Sequence, residues 1–315
     1  MPRVSVITPC YNSAPYIGKT ILSVRGQTLT NWEHVVVDDG STDGSATVVQ
    51  SYLDGDKRLR LVTQGNAGVA AARNRGFQEC ETDSDYLLFL DADDILIPEM
   101  LDEMVRYLDT HPKVGMLYCD PIFIDSDDRV LDPTTFASGW SPRSVPAGWG
   151  VRELRDDEPE TPFLSILGLT TIIPSLAVFR RSDYLRTPQW DEGFGHIFED
   201  ANLFLHMALV SHVHHLSRQL IQYRRHGNQS TANREKFHAQ EMKLLARWRN
   251  PQGLTPEQRA VVEQAWNFRE GRLLPYQGWV AGTHHLRRGE IGLALRFLGG
   301  AARRYLTHLH YNFKR

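Results

Sequence analysis

The sequence predicts an α/β protein with a mostly parallel central sheet, because short β-branched runs alternate with helical stretches of about ten to fifteen residues. After residue 234 the pattern changes to helical spacing alone. The 315 residues are 41% hydrophobic and 23% charged, a composition that excludes a disordered chain. This length is enough for about two structural units.

The predicted strands are short apolar runs, and each of the first four is followed by a stretch that favours a helix. Strands are expected at residues 4–8, 34–37, 59–63, 86–90 and 114–119. Helices are expected at about residues 13–25, 41–53, 68–80 and 98–111. Further along, residues 176–180 and 212–223 are predicted to be extended, and residues 199–210 to be helical. Parallel strands joined by such helices give right-handed crossovers.

Residues 231–315 are predicted to form a helical extension with a charge of its own. They hold 15 Lys and Arg against 6 Glu, a net charge of +9, whereas residues 1–230 hold 20 bases and 32 acids, a net charge of −12. Two explanations stay open: the halves attract each other, or the basic extension faces an anionic lipid surface or ligand. Self-association into a homo-oligomer is a third use of such helices.

The three cysteines are too few and too scattered for a disulfide framework or a zinc cluster, which favours reduced thiols in the cytoplasm. The net charge of −3 argues against a nucleic-acid-binding protein. We expect no membrane span, because no apolar run approaches the roughly 18 residues required. The N-terminal apolar stretch is too short for a signal peptide. The expected location is cytoplasmic, with peripheral contact at the inner face of the membrane.

Acidic residues follow two of the predicted strands. Asp38 and Asp39 end the second strand, and Asp91, Asp93 and Asp94 follow the fourth. Ligands bind at the carboxyl edge of such sheets, where these carboxylates converge and require a cation. Oxygen ligands favour Mg²⁺ or Mn²⁺. The alternative is helix capping, because Asp often begins the helix that follows a strand.

Four segments carry a resemblance to a known family. They are VSVITPCYN (4–12), VVVDDGSTD (35–43), GNAGVAAARN (65–74) and LFLDADD (88–94). In this order and spacing they resemble the family 2 glycosyltransferases over about the first 230 residues. The resemblance implies a GT-A fold, a divalent cation (Mn²⁺ or Mg²⁺), a nucleotide-sugar donor, a UDP-sugar in many members, and inversion at the anomeric carbon. The chain lacks the Gln-x-x-Arg-Trp segment of processive members, which favours single sugar additions.

The resemblance implies a role for each matched residue on the donor side. Pro9 and Tyr11 line the pocket of the base and ribose, and Asp39 reads the edge of the base. Arg73 approaches the base or the diphosphate, and Asp91 contacts the ribose or the sugar. Charged donors and acceptors of these types suit a nucleotide diphosphate.

The catalytic and metal-binding roles fall on a second group of residues. The resemblance implies Asp93 as metal ligand with Asp91, and His226 as a third ligand. Asp200 is interpreted as the general base that takes the proton of the acceptor hydroxyl, and Glu199 as the residue that positions the acceptor. The alternative for this acidic pair is an ordinary acidic first turn of a helix. In the same segment, 223–230, either Arg224 or Arg225 is a candidate for holding the diphosphate. The alternative for this segment is a loop that closes the domain.

The expected organisation is a GT-A domain at 1–230, with a nucleotide-binding half at 1–120 and an acceptor half at 121–230, followed by the helical region 231–315. The acceptor is expected to be a glycan or lipid-linked molecule, bound under the loop at 132–170 and used in surface polysaccharide or other glycan synthesis. Two other functions stay open: a non-catalytic nucleotide-sugar-binding or scaffold protein, and a sugar-1-phosphate nucleotidyltransferase. His212 and His214 are interpreted as an exposed strand face with no carboxylate nearby.

Overall fold

The computed structural model describes residues 2–131, 144–147, 150–153, 157–167, 172–194, 197–225 and 234–312. Its strands are β1 (Val4–Cys10), β2 (Trp32–Asp38), β3 (Leu59–Thr63), β4 (Tyr86–Phe89), β5 (Ile95–Leu96), β6 (Val114–Ile124), β7 (Ser144–Ala147), β8 (Gly150–Glu153), β9 (Ala177–Arg180) and β10 (His212–Arg224). Every strand predicted from the sequence is confirmed, and β5, β7 and β8 were not expected.

The helices of the α/β part are α1 (Ile17–Arg25), α2 (Ser45–Gln50), α3 (Val69–Glu79), α4 (Met100–Thr110), α5 (Phe163–Ile166), α6 (Arg181–Tyr184) and α7 (Glu199–Val210). Those of the C-terminal region are α8 (Arg234–Arg249), α9 (Pro256–Phe268), α10 (Leu274–Arg287) and α11 (Ile291–Asn312). A π-helical turn, Arg269–Leu273, joins α9 to α10. Thr255 caps α9 in the capping box that the sequence predicts.

Eight strands form one mixed sheet in the order β3-β2-β1-β4-β9-β6-β10-β5. Strands β1 to β4 are parallel where they pair, and β10 is parallel to β6. Strand β9 lies antiparallel between β4 and β6, and β5 pairs antiparallel with β10. The prediction of a mostly parallel α/β sheet is therefore confirmed. The strands are not all parallel, because β9 runs antiparallel to both of its neighbours.

The core explains why the central strands are apolar on both faces. All seven residues of β1 and all seven of β2 are buried, as expected for parallel strands covered by helices on both sides. Helix α3 packs closely against them at Gly76, where an added Cβ would lie 2.4 Å from Cγ2 of Ile7. A side chain at this position would push the helix away from the sheet.

The C-terminal helices pack on the α/β part through α8 and α9. Trp248 of α8 and Val262 and Ala265 of α9 are buried in the same apolar cluster as the sheet. Helices α10 and α11 pack against each other at Gly278 and Gly282, which lie close to Ala301 and Leu298. In the part of the chain that is described, no helix is long and apolar enough to cross a membrane.

Candidate functional site

The candidate site lies at the carboxyl edge of the parallel strands, where three loops are joined by backbone hydrogen bonds. The N–H of Asp39 donates to the carbonyl of Cys10 at 2.8 Å, and the N–H of Leu90 donates to Ile7 at 2.9 Å. These bonds hold the ends of β1, β2 and β4 side by side. The structure thus brings together the loops that carry three of the four sequence motifs.

The loop after β1 presents an exposed aromatic ring over a buried proline. Pro9 is buried beyond the last β4 pairing at Ile7, so its missing N–H costs no hydrogen bond to that strand. The ring of Tyr11 is 50% exposed. Asn12 has a φ of 49°, and its side chain accepts from the N–H of Thr42 at 2.9 Å. This contact fixes the loop that carries Tyr11.

The two acids that end β2 have different surroundings. Both oxygens of buried Asp39 accept backbone N–H groups, from Ala67 and Gly68, each at 2.8 Å. The Oδ1 atom of its neighbour Asp38 is buried and has no hydrogen-bond partner among the described residues. Asp38 belongs to the converging carboxylates that the sequence predicts at this edge, and its free buried oxygen marks it as a further polar group of the site.

Arg73 of α3 joins the end of β4 to the start of α7. Its side chain is only 3% exposed. The guanidinium donates to Asp91 Oδ1 at 2.8 Å and to Glu199 Oε1 at 3.0 Å. Its Cζ lies 4.3 Å from the ring centroid of Trp190, a cation–π contact. Arg73 therefore connects Asp91, after the end of β4, to Glu199, at the start of α7.

The acids after β4 form a cluster that repels itself. Burial raises the pKa of Asp91, opposed by Arg73 and reinforced by the negative charge of Asp93. Burial, then the charges of Asp93 and Asp91, hold the pKa of Asp94 well above its usual range. The Oδ1 atom of Asp94 accepts the N–H of Arg224 at 3.0 Å, and its buried Oδ2 is without a partner in the described structure. Such a cluster is stabilised by a cation.

Two carboxylates from this loop fit Mg²⁺ or Mn²⁺, because these ions keep several waters and take their remaining ligands from substrate phosphates. Within the described ranges, no third His, Cys, Asp or Glu completes a three-residue centre with Asp91 and Asp93. His226, expected as that third ligand, lies outside the described residues.

Arg224 has a different place from the one that the sequence suggested. Its side chain is fully buried, and it donates to the carbonyls of Asp93 and Asp125 at 2.9 and 2.8 Å. Its Nη1 also lies 2.6 Å from Asp128 Oδ1. The expectation that Arg224 holds the diphosphate is wrong, because burial and these contacts commit the guanidinium to the loop behind Asp93.

Helix α7 begins with the acidic pair, directly after a residue in a rarely used conformation. Phe198, before the pair, has a φ of 68°, which is strained for a bulky side chain. Glu199 is buried, and burial raises its pKa. The pKa of Asp200 is raised to about 7, first by burial and then by the negative charge of Glu199. A carboxylate of this pKa can accept a proton near neutral pH.

Helix α8 packs against α7 and against the turn that precedes it. The indole N–H of Trp248 donates to Asn202 Oδ1 at 3.1 Å, and its ring packs edge-on against Phe163. Lys243 and Arg247 of the same helix flank the ring of Phe194, in the turn before α7. The C-terminal region thus contacts the elements that carry Asp200, a relation that could not be predicted from the sequence.

The fold, together with the acidic residues at the carboxyl edge of the sheet, defines a GT-A type glycosyltransferase domain. The family model described as glycosyl transferase family 2 matches residues 5–186. The chain therefore belongs to glycosyl transferase family 2, a family of glycosyltransferase enzymes, and the resemblance seen in the four motifs is confirmed.

Similar proteins include a glycosyltransferase of Haemophilus influenzae, 39% identical over 34% of this chain and 43% of its own length. TuaG of Bacillus subtilis, named for teichuronic acid biosynthesis, is 39% identical over 34% of this chain and 42% of its own length. The matched stretch spans less than half of either relative.

Solved structures share the fold at lower sequence identity. Staphylococcus aureus TarS residues 1–349 in complex with UDP is 18% identical and has a TM-score of 0.61, covering 96% of this chain and 92% of that one. A Pyrobaculum calidifontis mannosyltransferase in complex with GDP-Man and Mn²⁺ is 19% identical and has a TM-score of 0.56, covering 97% of this chain and 87% of that one.

Proposed function

We propose that this protein is an inverting, metal-dependent glycosyltransferase that moves a sugar from a UDP-sugar to a hydroxyl of a glycan or lipid-linked acceptor. The observation that carries the proposal is Arg73, which joins the donor-side Asp91 to Glu199, next to a carboxylate, Asp200, whose pKa is near 7. This contact supports the assignment of Asp200 as the base for attack on a donor bound at the Asp91 side. The biosynthetic setting that we propose is surface polysaccharide assembly, in line with the name of TuaG.

On the donor side, we assign Tyr11, Pro9 and Asp39 to the nucleotide. The half-exposed ring of Tyr11 offers a face on which a base can stack. Asp39 accepts three hydrogen bonds within the protein, from the backbone of Ala67 and Gly68 and from Nε2 of Gln64. It keeps capacity for one more, because a carboxylate can accept about four hydrogen bonds. Its fixed orientation suits recognition of a base N–H. The UDP and GDP-Man complexes of the structural neighbours support a nucleoside diphosphate donor.

Asp93 and Asp91 would hold the cation, and His226 remains the proposed third protein ligand. A bound divalent ion supplies positive charge at the diphosphate as it leaves. Arg224 and its contacts keep the backbone of the Asp93 loop in place. Arg73 fixes Asp91 by a charge-assisted hydrogen bond.

The transfer itself is one displacement. Asp200 takes the proton of the acceptor hydroxyl while the hydroxyl oxygen forms a bond to the anomeric carbon. The bond from that carbon to the diphosphate oxygen breaks with its electron pair, which leaves with the nucleoside diphosphate. Attack from the opposite face inverts the anomeric configuration. Glu199 fixes the start of α7 through Arg73 and raises the pKa of Asp200.

We also propose that α10 and α11 bind an anionic membrane surface on which a lipid-linked acceptor resides. Between residues 274 and 312 there are five Arg and one Glu. Trp279, Ile291 and Leu295 are 60%, 63% and 64% exposed. Exposed apolar side chains beside arginines are typical of helices that lie in the membrane interface.

Sedimentation with vesicles tests the membrane proposal. The full chain should sediment with phosphatidylglycerol vesicles at low salt and stay in solution with phosphatidylcholine. The double change Ile291→Ser with Leu295→Ser should reduce binding, whereas Leu185→Ser, at an exposed leucine of α6's C-terminal end, should not. Equal binding by all variants, or concentration-dependent self-association in place of lipid binding, would contradict it.

The reaction is tested with a panel of nucleotide sugars, each with and without Mn²⁺, by calorimetry and by release of nucleoside diphosphate. One donor should bind and turn over in a metal-dependent manner. Asp200→Asn should bind that donor and lose turnover, while Asp54→Asn, at an exposed aspartate, should behave as wild type. Binding of a donor with equal turnover in the Asp200 variant would refute the assignment of the base.

A further inference from the structure

A cluster of two histidines and one glutamate lies at the opposite edge of the sheet from the candidate site. His212 and His214 begin β10, and alternation along the strand places them on one face. His215 points to the other face, where its Nε2 lies 2.8 Å from Asp120 Oδ1. Strand β10 runs parallel to β6, so its first residues lie at the amino-terminal edge.

The segment before α5 brings a carboxylate to these histidines. Glu160 forms an antiparallel bridge with His214, and the N–H of Thr161 donates to the carbonyl of Val213 at 2.7 Å. The N–H of His215 donates in turn to the carbonyl of Pro159 at 2.8 Å. The expectation that no carboxylate lies near this pair is therefore wrong, because strand pairing joins residues about fifty positions apart.

The three side chains are arranged as a metal-binding group. One potential ligand atom from each of Glu160, His212 and His214 lies within 4.8 Å of the other two. His212 Nδ1 lies 3.0 Å from Glu160 Oε1, so these two groups already face each other. His214 Nδ1 lies 2.9 Å from the hydroxyl of Tyr107, a contact that restrains the imidazole ring. Small side-chain rotations would bring the three ligands around one ion.

The ligand set selects the ion. Two imidazoles with one carboxylate suit Zn²⁺, whereas Mg²⁺ and Ca²⁺ prefer sites built from oxygen alone. We propose that Glu160, His212 and His214 form a zinc site, separate from the catalytic centre, that fastens the 157–161 segment to β10. Its role would be structural, because its ligands come from two segments that are 52 positions apart and are joined there by strand pairing.

Metal binding to the chelator-treated, dialysed full chain tests this site. Calorimetry with Zn²⁺, and visible absorption with Co²⁺ as a spectroscopic substitute, should show one ion bound. The double change His212→Asn with His214→Asn should weaken Zn²⁺ binding by about a hundredfold or more, and Glu160→Gln by about tenfold or more, as loss of metal-site groups does. Zn²⁺ should raise the Tm of the wild type but not of the double variant.

Two controls separate this site from other sources of binding. Asp93→Asn, which alters the catalytic metal loop, should keep the same zinc affinity and stoichiometry. His284→Asn, at an exposed histidine of α10, should also bind as wild type does. Unchanged binding in both the double variant and Glu160→Gln, absence of zinc binding in the wild type, or loss of the ion in Asp93→Asn would overturn the proposal. Glu160, His212 and His284 are exposed, and His214 and Asp93 are partly buried. Circular dichroism verifies that each variant folds.

Discussion

Asp200→Asn should abolish transfer and at the same time stabilise the fold. In the folded protein burial and Glu199 raise the pKa of Asp200 from 3.8 to about 7. Ionisation of this carboxyl is therefore more costly in the folded state than in the unfolded chain. The penalty is absent below the unfolded pKa, grows between the two values and is complete above the folded one.

The size of the effect follows from the two pKa values. At about 1.36 kcal/mol per pKa unit, the penalty is about 2 kcal/mol at pH 5 and about 4 kcal/mol at pH 8. An asparagine keeps an oxygen that can accept the N–H of Ala201, now 2.6 Å from the carboxylate, but it does not ionise. Asp200→Asn should thus unfold at a higher temperature than wild type, by several degrees at pH 8 and by less at pH 5.

Thermal unfolding at pH 5 and pH 8 measures this difference directly. Asp54→Asn serves as the control, because it makes the same substitution at an exposed aspartate outside the site. A variant that is less stable than wild type at pH 8, or a gap that does not widen with pH, would refute the assignment of a raised pKa to Asp200.

Three further predictions concern the neighbours of this base. Wild-type kcat, measured in stopped assays, should rise with pH through about 7. In Glu199→Gln this rise should move to lower pH, because a negative charge beside Asp200 is lost. An unmoved profile would contradict the effect of Glu199 on the pKa of Asp200. Arg73→Lys should lower kcat by about tenfold or more, because one ammonium group cannot reproduce the planar guanidinium that donates to two carboxylates; unchanged steady-state kinetics would contradict this. Trp248→Ala should cost about 3–5 kcal/mol of unfolding free energy in urea titrations, since it empties a fully buried position, and a loss below about 1 kcal/mol would contradict that packing.

Local sequence was enough to predict most elements and the loops of the site. The β-branched runs at β1, β2 and β4 and the acids that follow them are properties of neighbouring residues. Their convergence at one edge then follows from the geometry of parallel strands. The direction of β9 could not be predicted, because its four residues, three apolar ones followed by Arg180, carry no sign of which way the strand will run.

Long-range partners could not be predicted from one sequence. Arg73 and Glu199 are separated by 126 positions, and His212 and Glu160 by 52. Each of these pairs depends on how helices and strands pack, and no spacing rule links them. The same reason explains Arg224: a conspicuous arginine near the site was interpreted as a phosphate ligand, whereas burial directs it to the carbonyl of Asp93.

The stereochemistry of the product tests the central claim most directly. With the donor identified from the panel, proton NMR of the first sugar released or transferred distinguishes its two anomers. A single displacement assisted by Asp200 predicts the anomer opposite to that of the donor. A first product with the donor's own configuration would contradict the mechanism, because it requires a second displacement or attack from the same face.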